Sequence, residues 1–208
     1  MRLVDYLIAY DGPPAPSGAA YDYVLSADGL WVQAENEHMA ARVPIARVEV
    51  RGLAALHPVF TLKHGRIPHR LGAHIVDVAR AWAVEGQEVL LTVRYTAPLG
   101  YHLVVPQQAV SPTEVAYLPA QGVVLEIHSH HRYAARFSAL DDADEQRLAV
   151  YGVLGRLDTD QPEVRLRVGV YGYFMGVPWS EVFESELQGF RDVTVEGEAE
   201  EDRDELPP

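Results

Sequence analysis

The stretch EIHSHHRYAARFSALDDADE, residues 126–145, concentrates side chains that bind metal ions at a defined spacing. His128 and His130 are two residues apart, seven residues follow, and Ser138 then precedes Asp141, which gives H-x-H-x7-S-x-x-D. If the histidine pair ends a β-strand, its period of two places both imidazoles on one face of the sheet. A loop of seven residues is long enough to turn back and bring a carboxylate from the first turn of the next helix. The pattern therefore predicts one metal site built by a strand, a loop and a helix.

The predicted ligand set is typical of a catalytic zinc ion. Two imidazoles and one carboxylate leave a fourth tetrahedral position for water. Zinc lowers the pKa of that water to about 7, which provides a hydroxide nucleophile at neutral pH. Taken separately, an H-x-H pair is common on solvated strands, and Ser138-x-x-Asp141 is the spacing of a helix capping box. The four positions together favour the metal site, and Ser138 can cap the helix while it faces that site.

Hydrophobic periodicity on both sides of this run predicts an α+β protein. Leu71, Ile75, Val78 and Trp82 recur at helical spacing in a predicted helix at residues 71–84, and a second helix is predicted at 141–148. Strands are predicted at residues 3–10, 22–35 (a hairpin), 45–53, 88–95, 101–106, 115–119, 122–131, 150–157 and 163–174. We divide the chain into a β-rich N-terminal region (1–68), a mixed domain (69–190) and an acidic tail (191–208) that we expect to be disordered.

The composition excludes several kinds of site and partner. The chain has 208 residues and no cysteine, which rules out disulfides, thiolate nucleophiles, iron–sulfur clusters and cysteine-type zinc ribbons. Lys and Arg number 17 against 30 Asp and Glu, and the net charge of −13 is the wrong sign for a broad nucleic-acid-binding surface. We find no signal-peptide pattern and no run of about 18 apolar residues, so we expect no membrane segment and a cytoplasmic location.

The central run resembles the signature of a known enzyme family. H-S-H-x7-S-x-x-D is similar to the motif of the JAMM/MPN (JAB-domain) metalloproteases, which cleave peptide or isopeptide bonds after ubiquitin-like modifiers. The stretches LKHGRIPHRL, GVVLEIHSHH, FSALDDADEQ and VGVYGYFMGVPW resemble PRTRC system protein A, a prokaryotic JAB branch. This resemblance implies a JAB/MPN-like mixed sheet flanked by helices, with the cytidine deaminase-like α-β architecture.

The resemblance also implies roles for individual residues. His128, His130 and Asp141 would bind Zn²⁺, and Ser138 would help to stabilise the tetrahedral oxyanion. The general base would stand on the strand after the first helix, where the family has E-x-x-G-x-L. Glu88 occupies this place, although the Gly of that motif is absent.

Three further glutamates stay open as the general base. Glu126 lies two residues before His128 and would point to the same face of that strand, and Glu85 and Glu114 are lesser candidates. The loop between His130 and Ser138 also departs from the family pattern. His131 and Phe137 stand where the family usually has proline.

The resemblance implies a zinc metallopeptidase or isopeptidase, a hydrolase acting after the C-terminus of a ubiquitin-like or sulfur-carrier-like protein. It also implies a ThiF-like activating protein as a partner. Two other readings stay open, a non-catalytic MPN-type scaffold and a metal-dependent hydrolase of small molecules. Five more histidines show no ligand spacing, and we expect exposed or core positions for them: His57, His64, His69, His74 and His102.

Overall fold

A computed structural model describes residues 2–106, 108–110, 115–117 and 122–195 of the chain. Its architecture is α+β, as predicted, with two mixed β-sheets, a separate two-stranded ladder and three helices among these residues. The candidate Glu114 and most of the predicted disordered tail, residues 196–208, lie outside the described residues.

The first sheet lies near the N-terminus, and its strands follow one another in sequence order. They are β1 (Val4–Ile8), β2 (Tyr21–Ser26), β3 (Gly29–Glu35), β4 (Met39–Arg47) and β5 (Val59–Leu62). β1 runs parallel to β2, and the other neighbours are antiparallel. The predicted hairpin at 22–35 is confirmed as β2 and β3. Its core includes Val24 and Trp31, which pack with Ala9 and Leu56.

The strand predicted at residues 45–53 is wrong, because β4 begins earlier and ends at Arg47. Arg47 pairs with Gly29, the first residue of β3. Beyond that pair β3 offers no partner, so the apolar residues after Arg47 cannot continue the ladder.

The second sheet carries the histidine pair. The chain continues through β6 (Leu90–Thr96), β7 (Gly100–Val104), the separate ladder β8 (Gln108–Val110) and β9 (Val115–Tyr117), β10 (Val123–Ser129), β11 (Ala149–Gly155), β12 (Glu163–Val170), β13 (Tyr173–Gly176) and β14 (Arg191–Asp192). The strand order is β13-β12-β11-β10-β6-β7, and β14 pairs with β12. β10 is parallel to β11 and antiparallel to β6. Every residue of β11 is buried, which is typical of a central strand covered on both faces.

The first helix, α1 (His69–Val84), confirms the predicted helix but buries a different face. Its buried residues are Gly72, Ile75, Val76 and Ala79, and of the predicted stripe only Ile75 is among them. The rings of Trp179 and Phe183 stack with centroids 3.7 Å apart, and a Cβ atom on Gly72 would lie 2.8 Å from Trp179. Gly72 has no side chain, so the two rings can approach the helix backbone closely at this position. This close packing turns the face of α1 that contains Gly72 toward the protein interior.

The two other helices are short: α2 (Ala139–Asp144) and α3 (Trp179–Val182). The predicted second helix therefore starts two residues earlier and ends at Asp144 instead of residue 148. Acidic side chains at a helix C-terminus oppose the helix dipole. The Gln146 side chain also donates a hydrogen bond to the Asp142 carbonyl at 2.8 Å, which closes this end.

The chain forms two compact units. One comprises the described residues of Met1–Gly65, Ala139–Ala149 and Val168–Met175, and the other those of Arg66–Ser138, Val150–Arg167 and Gly176–Pro208. The predicted domain boundary at residue 68 stays a prediction. The expectation of disorder from residue 191 is wrong for the first tail residues, because β14 pairs with β12 and Val193 and Thr194 are buried. In the described part of the chain, each helix is too short or too polar to cross a membrane.

Candidate metal centre

The histidine pair lies at the carboxyl end of β10. His128 opposes Val153 on β11 and Leu90 on β6, and the His130 amide donates to the Leu154 carbonyl at 2.7 Å. Both backbone positions are thus held by neighbouring strands. Because parallel strands need a crossover connection, the chain must leave β10 and return to the start of β11. The seven-residue loop and α2 form this connection.

The imidazoles converge as two ligands of one ion would. His128 Nε2 lies 3.0 Å from His130 Nε2, and the ring planes are tilted by 53°. Two nitrogens that share a tetrahedral zinc ion at about 2.0–2.1 Å are separated by about 3.4 Å. One ligand atom each of His128, His130 and Asp141 lies within 4.8 Å of the other two, and all three residues are partly buried. The three predicted ligands therefore come together, and this group could hold a metal ion.

The second nitrogen of His130 helps to set its tautomer. His130 Nδ1 lies 3.3 Å from the carbonyl oxygen of Ala134. Since a carbonyl oxygen only accepts, this hydrogen bond requires the proton on Nδ1, which leaves a lone pair on Nε2. A backbone carbonyl in this position is the usual outer partner of a metal-binding histidine. The contact thus orients the imidazole toward the site.

We call residues 131–137 the ligand loop, because they connect His130 to Ser138. The loop begins with a tight turn in which the Tyr133 amide donates to the His130 carbonyl at 2.7 Å. His131 within it has φ of +34°, a left-handed conformation that proline cannot adopt. The amides of Arg156 and Leu157 then donate to the carbonyls of Tyr133 and His131, both at 2.8 Å. The start of the loop is therefore bonded to the segment that follows β11.

The ligand loop also packs directly against the backbone of Gly155. A Cβ atom added to Gly155 would lie 2.3 Å from the Ala135 nitrogen and 2.6 Å from the Tyr133 carbonyl oxygen. At the far end of the loop, Phe137 packs against the core cluster that contains Ala135. The Arg167 guanidinium covers the Phe137 ring at 3.7 Å from its centroid. Phe137 thus anchors the residue just before Ser138.

A buried carboxylate fixes the middle of the loop. Glu163 is 4% exposed, and its Oε2 accepts a hydrogen bond from the Ala135 amide at 3.2 Å. Its Oε1 lies 2.7 Å from Arg191 and 3.0 Å from Arg156. Burial alone would raise the pKa of Glu163. The hydrogen bonds from Arg191 and Ala135 and the two guanidinium charges outweigh burial and hold this pKa below its ordinary value.

Both leading candidates for the general base are buried. Glu126 lies on β10, the strand that carries His128, and Glu88 precedes the neighbouring strand β6. Glu88 is 6% exposed and Glu126 is 4% exposed. Glu88 precedes β6 by two residues, so the prediction that it begins the strand is wrong by that margin. His128 opposes Leu90, and continuing this antiparallel register places Glu88 opposite His130, on the histidine face. Glu126 opposes Thr92 and lies on the same face, farther from the strand end.

Ser129, between the two histidines, holds the segment that carries Glu88. Its side chain is fully buried and its Oγ accepts a hydrogen bond from the Val89 amide at 3.1 Å. The Ser129 amide donates in turn to the Val89 carbonyl at 3.0 Å. These two bonds extend the pairing past the last residue of β10 and keep Glu88 in register.

The other predicted residues are exposed. Ser138 is exposed and immediately precedes α2, the position from which a hydroxyl can cap a helix. Glu85 is exposed in the turn after α1. Arg132 and Arg136 are exposed on the ligand loop.

Sequence reasoning missed the residues that support the ligand loop. The role of Gly155 could have been predicted, because a glycine inside an apolar strand often marks a place where another segment of backbone approaches closely. The role of Glu163 could not, since its partners Ala135 and Arg191 are each 28 residues away in the chain. Ser129 was part of the motif, but its contact with Val89 depends on strand register.

The chain matches no known family model, and no curated protein is significantly similar to it.

Proposed function

We propose that the protein is a zinc-dependent metallopeptidase or isopeptidase of the JAMM type. Its substrate would be a peptide or isopeptide bond after the C-terminus of a ubiquitin-like or sulfur-carrier-like protein, with a ThiF-like protein as activating partner. The observation that carries the proposal is the convergence of His128, His130 and Asp141, whose ligand atoms lie within 4.8 Å of one another. Two imidazoles and one carboxylate suit zinc among the common divalent metals.

The donor set leaves room for substrate. Three protein ligands do not complete a tetrahedral shell, and open positions are typical of catalytic zinc sites. When bound there, zinc supplies Lewis acidity and lowers the pKa of a coordinated water.

Within the proposal, Glu88 acts as the general base. Its carboxylate would accept the proton of the attacking water and then deliver that proton to the leaving amine. Register supports Glu88 over Glu126, since Glu88 stands opposite His130 at the strand end from which the ligand loop departs. Ser138, one residue before α2, would donate a hydrogen bond from its hydroxyl to the developing oxyanion.

The first test is the metal content of the purified protein, without chelator. We expect about one zinc ion bound through this site in the wild-type chain and its loss in His128→Ala and Asp141→Ala. His57→Ala is the matched control, because His57 is an exposed histidine outside the ligand set. Zinc retained in full by both ligand variants would overturn the site assignment.

The second test separates catalysis from binding. Wild-type protein is incubated with a fusion of a ubiquitin-like protein to a reporter, joined after the Gly-containing C-terminus. We expect Glu88→Gln to keep its zinc and to lose roughly 10²–10⁴-fold in cleavage rate, the usual contribution of a general base. If Glu126→Gln shows this loss and Glu88→Gln does not, the base assignment moves to Glu126. Zinc binding without cleavage of any such fusion would favour the scaffold reading.

A further inference from the structure

A second pair of histidines meets in the N-terminal sheet, at sites 26 residues apart in the chain. His38 lies in the turn between β3 and β4, and His64 follows β5. His38 Nδ1 is 3.3 Å from His64 Nε2, and the ring centroids are 5.5 Å apart. This nitrogen separation is close to the value of about 3.4 Å for two ligands of one tetrahedral ion.

The backbone around His38 is fixed by its neighbours. The Asn36 side chain accepts hydrogen bonds from the amides of His38 and Met39, at 2.8 and 2.9 Å. The Lys63 amide donates to the His38 carbonyl at 2.8 Å, which continues the pairing of β4 with β5. His38 is 7% exposed, so its ring has little freedom to turn away from His64.

A carboxylate favours the ligand tautomer of His38. Glu37 Oε1 lies 3.4 Å from His38 Nε2. No hydrogen bond joins these two atoms, but the negative charge of the exposed Glu37 carboxylate favours the proton on Nε2 and a lone pair on Nδ1, the atom that faces His64.

The local charge suits a cation. Glu37 lies close to His38, and Lys63, which precedes His64 in the chain, forms an ion pair with Glu35. The three side chains sum to one negative charge. His64 is exposed, so water can complete the coordination of an ion held by the two imidazoles.

We propose that His38 and His64 form a second divalent-metal site, separate from His128, His130 and Asp141, that takes an imidazole-preferring ion such as Zn²⁺ or Ni²⁺. An ion held there would join the turn after β3 to the chain after β5. Closing this loop would stabilise the folded N-terminal sheet. The alternative is a plain hydrogen bond from His64 Nε2–H to His38 Nδ1, which makes the opposite prediction for added metal.

The test measures Zn²⁺ binding by isothermal titration of chelator-treated protein and compares His38→Gln and His64→Gln with His57→Gln. His64 is exposed, so its variant is expected to keep the wild-type circular dichroism spectrum and serves as the decisive one. His57 is an exposed histidine of the same compact unit and controls for nonspecific imidazole binding.

The expected result is that His38→Gln and His64→Gln each bind one equivalent of Zn²⁺ fewer than the wild type, and His57→Gln binds the same number. The His128→Ala variant should still bind the equivalent of Zn²⁺ that the His64→Gln variant loses. This result would show that the His38–His64 site is separate from the first site. Unchanged stoichiometry in a folded His64→Gln variant would overturn the second site and leave the hydrogen bond.

Discussion

His131 is the residue at which this chain departs most clearly from the motif that it resembles. Its φ of +34° places a non-glycine residue in the left-handed region, which costs roughly 1 kcal/mol. Proline, the residue usual in the resembled family, has φ fixed near −65° and cannot form this turn. The turn that follows His130 in this protein therefore depends on a residue other than proline at position 131.

The conformation of His131 gives a prediction at the residue scale. His131→Pro should lower the free energy of unfolding by about 2 kcal/mol or more and weaken zinc binding at least tenfold, because the turn that positions the Ala134 carbonyl cannot form. His131→Gly is the matched control, since glycine accepts positive φ. Chemical denaturation and zinc titration measure both effects. Equal zinc affinity in the two variants would show that the turn does not position the ligands.

At the scale of elements, the ligand loop is held by β11 and β12 more than by its own residues. Gly155 lets the loop backbone approach closely, and Glu163 accepts the amide of Ala135. Both residues belong to strands, where the backbone is fixed by ladders on either side. A rigid support of this kind is what a metal site needs, because small displacements of a ligand reduce affinity.

Gly155→Ala should displace the loop. The new methyl group would meet backbone atoms at 2.3–2.6 Å, and backbone cannot swing aside as a side chain can. We expect zinc affinity to fall at least tenfold. Gly152→Ala on the same strand is the control, since the three atoms nearest to its methyl group belong to the side chains of Leu166 and Ile127. A loss of stability in both variants, with zinc binding lost only in Gly155→Ala, would establish the role of the loop contact.

Glu163 makes part of the stability depend on pH. Its folded pKa lies below the ordinary value of 4.5, so the folded state favours the ionised carboxylate. This contribution is fully present above the unfolded pKa and is lost as pH falls from about 4.5 through the folded pKa. Denaturation of wild type and Glu163→Gln at pH 6 and pH 3.5 should show a smaller difference in unfolding free energy at the lower pH. A constant difference would contradict the ionic role.

For the whole molecule, the proposed metal site would link metal binding to folding. The proposed ligands His128, His130 and Asp141 can form a site only in the folded chain, so bound zinc stabilises the folded state by mass action. Once the metal exceeds its dissociation constant, each tenfold increase should add about 1.4 kcal/mol of stability. Thermal melts of Asp141→Ala over a zinc series, in a His64→Gln background, should show no such increase. A parallel rise in that variant would point to another site.

The charge of the whole chain also constrains its partners. The net charge of −13 and pI near 5.0 oppose any broad contact with nucleic acid or anionic lipid. Neutralising metal ions and cationic protein segments are the ligands that this field attracts. The exposed Arg132 and Arg136 on the ligand loop are local exceptions beside the candidate site.

The sequence alone determined the contacts between residues that are close to one another in the chain. The approach of His128, His130 and Asp141 was predictable, because fourteen residues of strand, loop and helix contain the whole ligand set and strand periodicity aligns the imidazoles. The β2–β3 hairpin was predictable for the same reason, since its partners are adjacent. The α+β class was predictable because some segments have apolar residues at helical spacing and others have the apolar pattern of strands.

Only the tertiary structure decided which distant segments meet. The inward face of α1 depends on Trp179 and Phe183, more than a hundred residues along the chain, and β4 ends where its partner β3 begins. Glu163 on β12 reaches the ligand loop, and His64 meets His38 although no ligand spacing connects them. Such contacts follow from packing and strand register, which bring together residues whose separation in sequence carries no periodic signal.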